Sequence, residues 1–538
     1  MKRKLFFFVG ILSLFLVCVF ARTSTSVISP QERQSLTSPD SAATTTYIYV
    51  EGADSLLHDQ KLHPNIQILM GNVIFRHDSS YMYCDSAYFN EVANSLEAFS
   101  NVRMEQGDTL FVYGNYLFYD GNTQMAYLRE NVRMENKQVT LFTDSLNYDR
   151  LADVGYYFEG GLIVDEENEL SSYYGQYSPA NKLAIFNDSV QLVNPNFVLH
   201  SDTLHYYTDT KLAIILGPSV IESDSGTIHT TRGWYDTVGN TSLLLDRSRV
   251  YSGDKMMIGD SILYDQAAGF GEIFGNMFLQ DTAQHIILEG QYGFYNEKTE
   301  FALATDSARV MEYSQGDTLY LHSDTLQMQT VDSTYREIKA FHGVRFYRID
   351  MQGVCDSMLF NTKDSVLYMY DDPILWNDSY QIYGDTILIH MNDSTIDYAH
   401  VKQFAFAVQF VDTSYYNQLK GNDLKAYFEG KQVKQIDVEG NAESLFYPLE
   451  GDGAMVGLNE TKSGFLSIWV KDNKLEKLKI WPSPQGTMTP IPDLKPEQKT
   501  LKDFYWFDYI RPQNKDDIYQ VVKRNVQEAP KRNNKFVH

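Results

Sequence analysis

Asn115-Tyr-Leu-Phe-Tyr-Asp-Gly-Asn-Thr-Gln-Met-Ala-Tyr-Leu-Arg-Glu-Asn-Val-Arg-Met134 is the stretch from which the fold can be read. Side chains alternate on either side of a turn: Leu117 and Tyr119 share one face, as do Val132 and Met134, with Arg133 and Glu135 on the other. Period-2 alternation of this kind is the mark of strands with one face in a core and one in water. Asp120-Gly-Asn122 supplies the turn, because Gly and Asn accept positive φ and Asp bonds to nearby amides. Glu130-Asn131 interrupts the second strand with a corner.

The same two phrases run outward in both directions. The first appears at Asp85–Asn90, Asp144–Asp149, Asp260–Asp265, Gln291–Asn296 and Asp356–Asn361, with looser copies starting at Gly175, Asp202, Thr231, Asp324, Asp385 and Asn422. Starts lie mostly about 27 to 33 residues apart. The second phrase follows about ten residues later, as in Ser100–Met104, Gly217–Val220, Gly275–Phe278, His342–Phe346 and Glu439–Asn441. A unit of three short strands cannot bury its apolar face alone, so stacking is required. The expected fold is all-β: an elongated β-solenoid of about twelve units of roughly 30 residues. Membrane barrels want longer uninterrupted strands, of about 9 to 11 residues, with aromatic girdles.

The 538 residues carry a net charge of -25, which argues against a nucleic-acid surface, since that needs local Lys and Arg to displace counterions. Lys2, Arg3 and Lys4 precede an apolar run from Leu5 to Phe20, so residues 1–21 read as an export signal or, uncleaved, as an N-terminal anchor. Residues 22–46 form a Ser/Thr-rich linker, and 47–480 hold the strand units, in one or more stacked modules. Residues 481–538 are Pro-rich, aromatic and finally basic, a segment suited to capping the array or docking on a partner. Beyond the signal only Cys84 and Cys355 remain, in equivalent phrases many units apart, and both are expected to be free thiols.

These phrases, with Gly107-Asp-Thr-Leu110, Gly316-Asp-Thr-Leu319 and Gly71-Asn-Val73, resemble the OstA-like/LptA family of lipopolysaccharide transport. The C-terminal run Gly440–Tyr447, Gly457-Leu-Asn459, Phe504-Tyr-Trp506 and Arg511-Pro512 is similar to the large OstA-like proteins of Bacteroidetes. The resemblance implies a twisted β-jellyroll, or β-taco, whose open apolar groove holds acyl chains and which stacks end to end with other envelope transport proteins. It also implies a periplasmic location, tethered to the inner membrane by residues 5–21 or joined to the outer membrane through a partner. Lipopolysaccharide, or its lipid A portion, is the implied cargo.

On that reading the chain is a transport bridge with no catalytic residues, no metal and no cofactor; the alternative is a non-catalytic envelope scaffold or assembly protein of the same fold. Candidate groove residues are Leu110, Val112, Leu117, Tyr119, Leu128, Val132, Met134, Leu263, Ile273 and Phe278, which could equally be plain core. Removing an acyl chain from water is worth about 0.8 kcal/mol per methylene. The Asp residues at 85, 144, 202, 260, 324, 356 and 385 fall once per unit beside small hydroxyl residues in most copies, which suits a corner better than catalysis or calcium.

Overall fold

A computed structural model describes residues 46–522, except 62, 315, 332–334, 393–394, 431, 451–452 and 472–473. The expected export signal and all but Thr46 of the linker therefore lie outside the described residues, as does the basic tail from Lys523. Within them the chain is almost wholly strand, with four short 3-10 turns near its C-terminus.

The first strands form an antiparallel meander: Ile66–His77, Ser80–Asn90, Ser95–Gln106, Leu110–Asp120, Met125–Asn136 and Val139–Asp149 each pair with the next. Each is 11 or 12 residues long and is bent at its middle, so the sheet has two walls meeting along a spine. The bend has a local cause. In alternate strands two successive residues are left-handed: Ser100 and Asn101 at φ 60 and 50, Glu130 and Asn131 at 61 and 54, Asp188 and Ser189 at 63 and 53. The pairing register slips there, for instance between Phe99 and Val102. Non-glycine residues tolerate this conformation best when they are Asn or Asp, and the neighbouring strand holds them. Asn101 Nδ2 donates to Asp85 at 2.7 Å, Asn276 Nδ2 to Asp260 at 2.7 Å, and the Asn131 amide to Asp144 at 3.1 Å. These in-register aspartates act at the corners.

The expectation of an open solenoid or jellyroll of stacked units is overturned by the pairing further along. Ten consecutive strands, from Phe197–Tyr207 to Phe270–Asp281, hydrogen-bond in a closed ring, and the other thirty are bonded outside this ten-stranded barrel. Phe197–Tyr207 pairs through its second half with Leu212–Ile215 and through its first with Ser219–Ser223. One branch continues through Arg232–Asp236, Thr241–Leu245 and Ser261–Asp265, the other through Gly226–Thr230, Arg249–Ser252 and Lys255–Ile258. Both rejoin on Phe270–Asp281. The physical reason is at the corners: Leu216-Gly-Pro218, where Pro218 has no N–H to give a ladder, falls outside any strand. What would be one bent strand becomes two that pair separately. Strands moreover return antiparallel through hairpins, whereas a coil of stacked units would run them in parallel.

The core is the space between the walls, a continuous cluster from Ile48 to Leu466. Cys84 and Cys355 are buried in it, with no disulfide between them. A second cluster lies on the outer face of one wall, where the C-terminal segment crosses it and buries Leu501, Phe507 and Ile510 against Val354, Trp376, Tyr383 and Phe406. Three buried glutamines fix that segment. Gln381 donates to the Tyr505 carbonyl at 2.9 Å and accepts from the Phe507 amide at 2.8 Å, Gln418 does the same for Lys499 and Leu501, and Gln352 accepts from Arg511. The segment is thus a strap along a wall, with its backbone groups paired as burial demands.

Candidate functional site

The interior changes along its length. Of the candidate lining residues, Leu110, Val112, Leu117, Tyr119, Leu128, Val132, Met134 and Ile273 point inward and are at most 4% exposed. They fill the space they enclose. Leu263 and Phe278 are half-buried and face outward, while their neighbours Ile262, Met277 and Leu279 face in.

Past residue 300 some inward side chains lose their cover, although others, such as Ile387, Ile389 and Val401, stay fully buried. Val310, Met328, Ala407, Leu419, Ile436 and Ile468 are only partly buried. A cavity of about 410 Å³ opens there between the strands Thr395–Asp412, Tyr415–Glu429, Gln432–Phe446 and Gly457–Lys471. Leu419, Ile436, Leu466, Ile468 and Val470 make its apolar floor; Leu475, Leu478 and Met488 come from the last two strands and stay 44%, 45% and 47% exposed. Gln409, Asn417, Gln418 and Asn459 supply the polar margin. The volume falls in the range of roughly 300–1,000 Å³ usual for small-molecule sites, and apolar walls with few polar groups suit an apolar ligand. Sequence reading did not single out these residues: Leu478 and Ile480 alternate with Lys477 and Lys479, but Leu475 falls out of that period, where the pairing register slips.

Among the described residues no group of His, Cys, Asp or Glu could hold a metal ion. Several buried tyrosines and the networks around them are perturbed. Burial pushes the Tyr119 and Tyr157 hydroxyls up to about 12. Asp165 is fully buried, which works against its charge, yet hydrogen bonds from Tyr206 and Lys211 and two backbone amides outweigh this and hold the carboxyl below its ordinary value. Burial lowers the pKa of His77, with Arg150 adding to the effect and Asp78 opposing it. Arg150 donates to Tyr119 and to His77 Nδ1, which is therefore the acceptor, leaving the ring proton on Nε2 at 2.7 Å from Thr46 Oγ1. No helix among the described residues is long and apolar enough to cross a membrane, a statement about helices alone.

No curated protein matches the chain. Among solved structures it is similar to LptH of Pseudomonas aeruginosa, the LptA-homologous periplasmic component of the lipopolysaccharide transport device. The two share 13% identity over 26% of this chain and 93% of that one, with a TM-score of 0.20. Residues 45–202 match the family model of the OstA-like proteins.

Proposed function

We propose that this chain is a periplasmic carrier that shelters acyl chains of lipopolysaccharide, through their lipid A portion, on the way to the outer membrane. The observation that carries this reading is the cavity of about 410 Å³ walled by Leu419, Ile436, Ile468, Leu475 and Leu478, with several of those side chains left half in water. Apolar surface exposed within a concave site is a ligand site awaiting cover. Each methylene buried there contributes about 0.8 kcal/mol, so one chain is held firmly enough to cross water and loosely enough to move on. Leu110 to Met134 and Ile273 form the dry interior continuous with that site, and would line the cargo's path only where the walls part. The match of residues 45–202 to the OstA-like family supports the envelope setting. Export would come from residues 1–21, either cleaved or retained as a tether. Other envelope proteins would meet the unpaired edges of the end strands, Tyr49–Gly52 and Ser55–His58 at one end, Lys474–Trp481 and Gln485–Pro490 at the other.

A second reading, a scaffold that carries nothing, is favoured by the tight interior from Leu69 to Ile273. The two separate by photo-crosslinking in intact cells. A crosslinker at Ile468 should give lipid A adducts, and one at outward-facing Phe278 should give none. Absence of adducts from Ile468 in a folded, exported protein would leave the scaffold.

A further inference from the structure

Seven buried tyrosines stand at matching places on one wall, each one residue or so before a hairpin: Tyr119, Tyr148, Tyr177, Tyr206, Tyr235, Tyr264 and Tyr295. The hydroxyls of the first four reach the hairpin tips of the opposite wall, and that of the fifth does so through Gln266 beside its own hairpin. Tyr119 lies 2.6 Å from His77 Nδ1, Tyr148 donates to Gln106 at 3.0 Å, and Asn136 donates to Tyr177 at 3.4 Å. Tyr206 donates to Asp165 at 2.6 Å, beside the Lys211–Asp165 ion pair at 2.9 Å. Tyr235 reaches Gln266 at 3.2 Å, which hands on to Ser223 at 3.1 Å. The series then ends in this form: Tyr264 makes no such bond among the described residues, and the Tyr295 hydroxyl is buried with no partner at hydrogen-bond geometry, the Lys255 ammonium being drawn to it. Beside Tyr295 the interior opens to a cavity of about 60 Å³ where inward apolar residues, Val310 and Met328 among them, are only partly covered. Lys255 stands at its rim, its ammonium 5.2 Å from the Tyr295 ring centre.

We propose that these five hydroxyls zip the mouth between the walls shut from Tyr119 to Tyr235, and that an acyl chain first gains the interior from the side where the zipper runs out, beside Tyr295. This rests on the carrier reading above for the identity of the cargo, but not for the zipper itself. Each bond that crosses between the walls forms only while they touch and so favours the closed mouth, even where the hydroxyl keeps a partner beside its own hairpin, as Tyr148 does with Asp153 at 2.6 Å; at Tyr295 no such bond forms. The small volume fits the end of a chain entering and not a whole lipid at rest.

The test uses the full exported chain and cis-parinaric acid, a fluorescent fatty acid. Tyr148→Phe, Tyr206→Phe and Tyr235→Phe together keep the rings and remove the hydroxyls, with Tyr156→Phe, on the outer face, as control. Each lost bond shifts local opening by about two- to tenfold. Amide exchange at the hairpins near Gln106, Asp165 and Ser223 should therefore speed up by at least that factor, with strand centres unchanged, and parinaric acid uptake should quicken. Met328→Trp, which fills the side opening, should slow uptake severalfold in the otherwise unaltered protein. Unchanged hairpin exchange in the triple variant overturns the zipper, and undiminished uptake in Met328→Trp overturns the side entrance. Faster exchange with no uptake by any of the proteins upholds the zipper and sinks the carrier reading instead.

Discussion

Around Met134 the two walls enclose only their own side chains, whereas around Ile468 they enclose space. Both regions are built from long antiparallel strands kinked by left-handed pairs, Glu130-Asn131 in one and Gly440-Asn441 in the other. The difference lies in what the inward positions carry and what seals the mouth. Near Met134 the fill is Leu, Val, Met and a tyrosine with a partner across the gap; near Ile468 the last strands bring Leu475, Leu478 and Met488 to an edge with nothing beyond. A common backbone scheme thus gives a strut in one place and a receptacle in another.

The comparison breaks most visibly at the charge buried in the closed region. Asp165→Ala strands Lys211 and removes the Tyr206 acceptor, and breaking such a buried pair costs about 3–5 kcal/mol. The midpoint of urea unfolding should fall accordingly, while no substitution of a charge near the open cavity, such as Lys462→Ala at 55% side-chain exposure, should move it measurably. Next in size is a matched pair of truncations. Leu128→Ala, wholly buried, should cost about 2–5 kcal/mol, and Leu478→Ala less than about 1 kcal/mol. Equal costs would mean that the C-terminal interior is as well packed as the rest.

A smaller effect distinguishes the strap. Gln381→Ala removes one donor and one acceptor from the backbone of Tyr505 and Phe507, at about 1–3 kcal/mol for groups left buried and unpaired. Limited proteolysis should then release the segment after Leu501 faster than in the parent protein, with the sheet intact. Unaltered cleavage would show that the apolar contacts of Leu501, Phe507 and Ile510, with the bonds to Gln352 and Gln418, hold the strap without Gln381.

Alternation and corner residues could be read from the sequence because they are local: Val132 and Met134 face in because they sit two apart, and Asn131 bends the strand because its own backbone allows it. Closure could not. Whether strands rejoin after Gly217-Pro218 depends on pairing across more than 60 residues, from Phe197–Tyr207 to Phe270–Asp281, which no short window displays. Parity slipped by one at Leu263 and Phe278, since Ile262 beside Leu263 and Leu279 beside Phe278 are equally apolar and only the neighbouring strand decides which enters the core. The tyrosines stood out as phrase endings, but a hydroxyl's partner 42 residues earlier, as with Tyr119 and His77, is invisible without the fold.

The finest prediction concerns pH and falls at the opposite end from the cavity. His77 is neutral in the folded chain, its pKa below the ordinary value of about 6.5 because it is buried beside Arg150. Above that value neither state carries a proton there, and the contribution to stability is complete. As pH falls, the unfolded chain takes up the proton first, so stability declines until pH has passed below the folded-state pKa. Asp165 has the same sign but a lower window, its contribution persisting above about pH 3.9 and fading below it. Between about pH 7.5 and about pH 5.5 the loss should therefore come from His77 together with His205, His322, His390 and His400, whose pKa values burial also lowers. His77→Gln, which can still bond to Tyr119, should flatten hydrogen exchange over that interval near Thr46 and Tyr119 while leaving exchange around Ile468 untouched. An unchanged pH response near Thr46 and Tyr119 in His77→Gln would show that the closed region owes nothing to this buried, neutral ring.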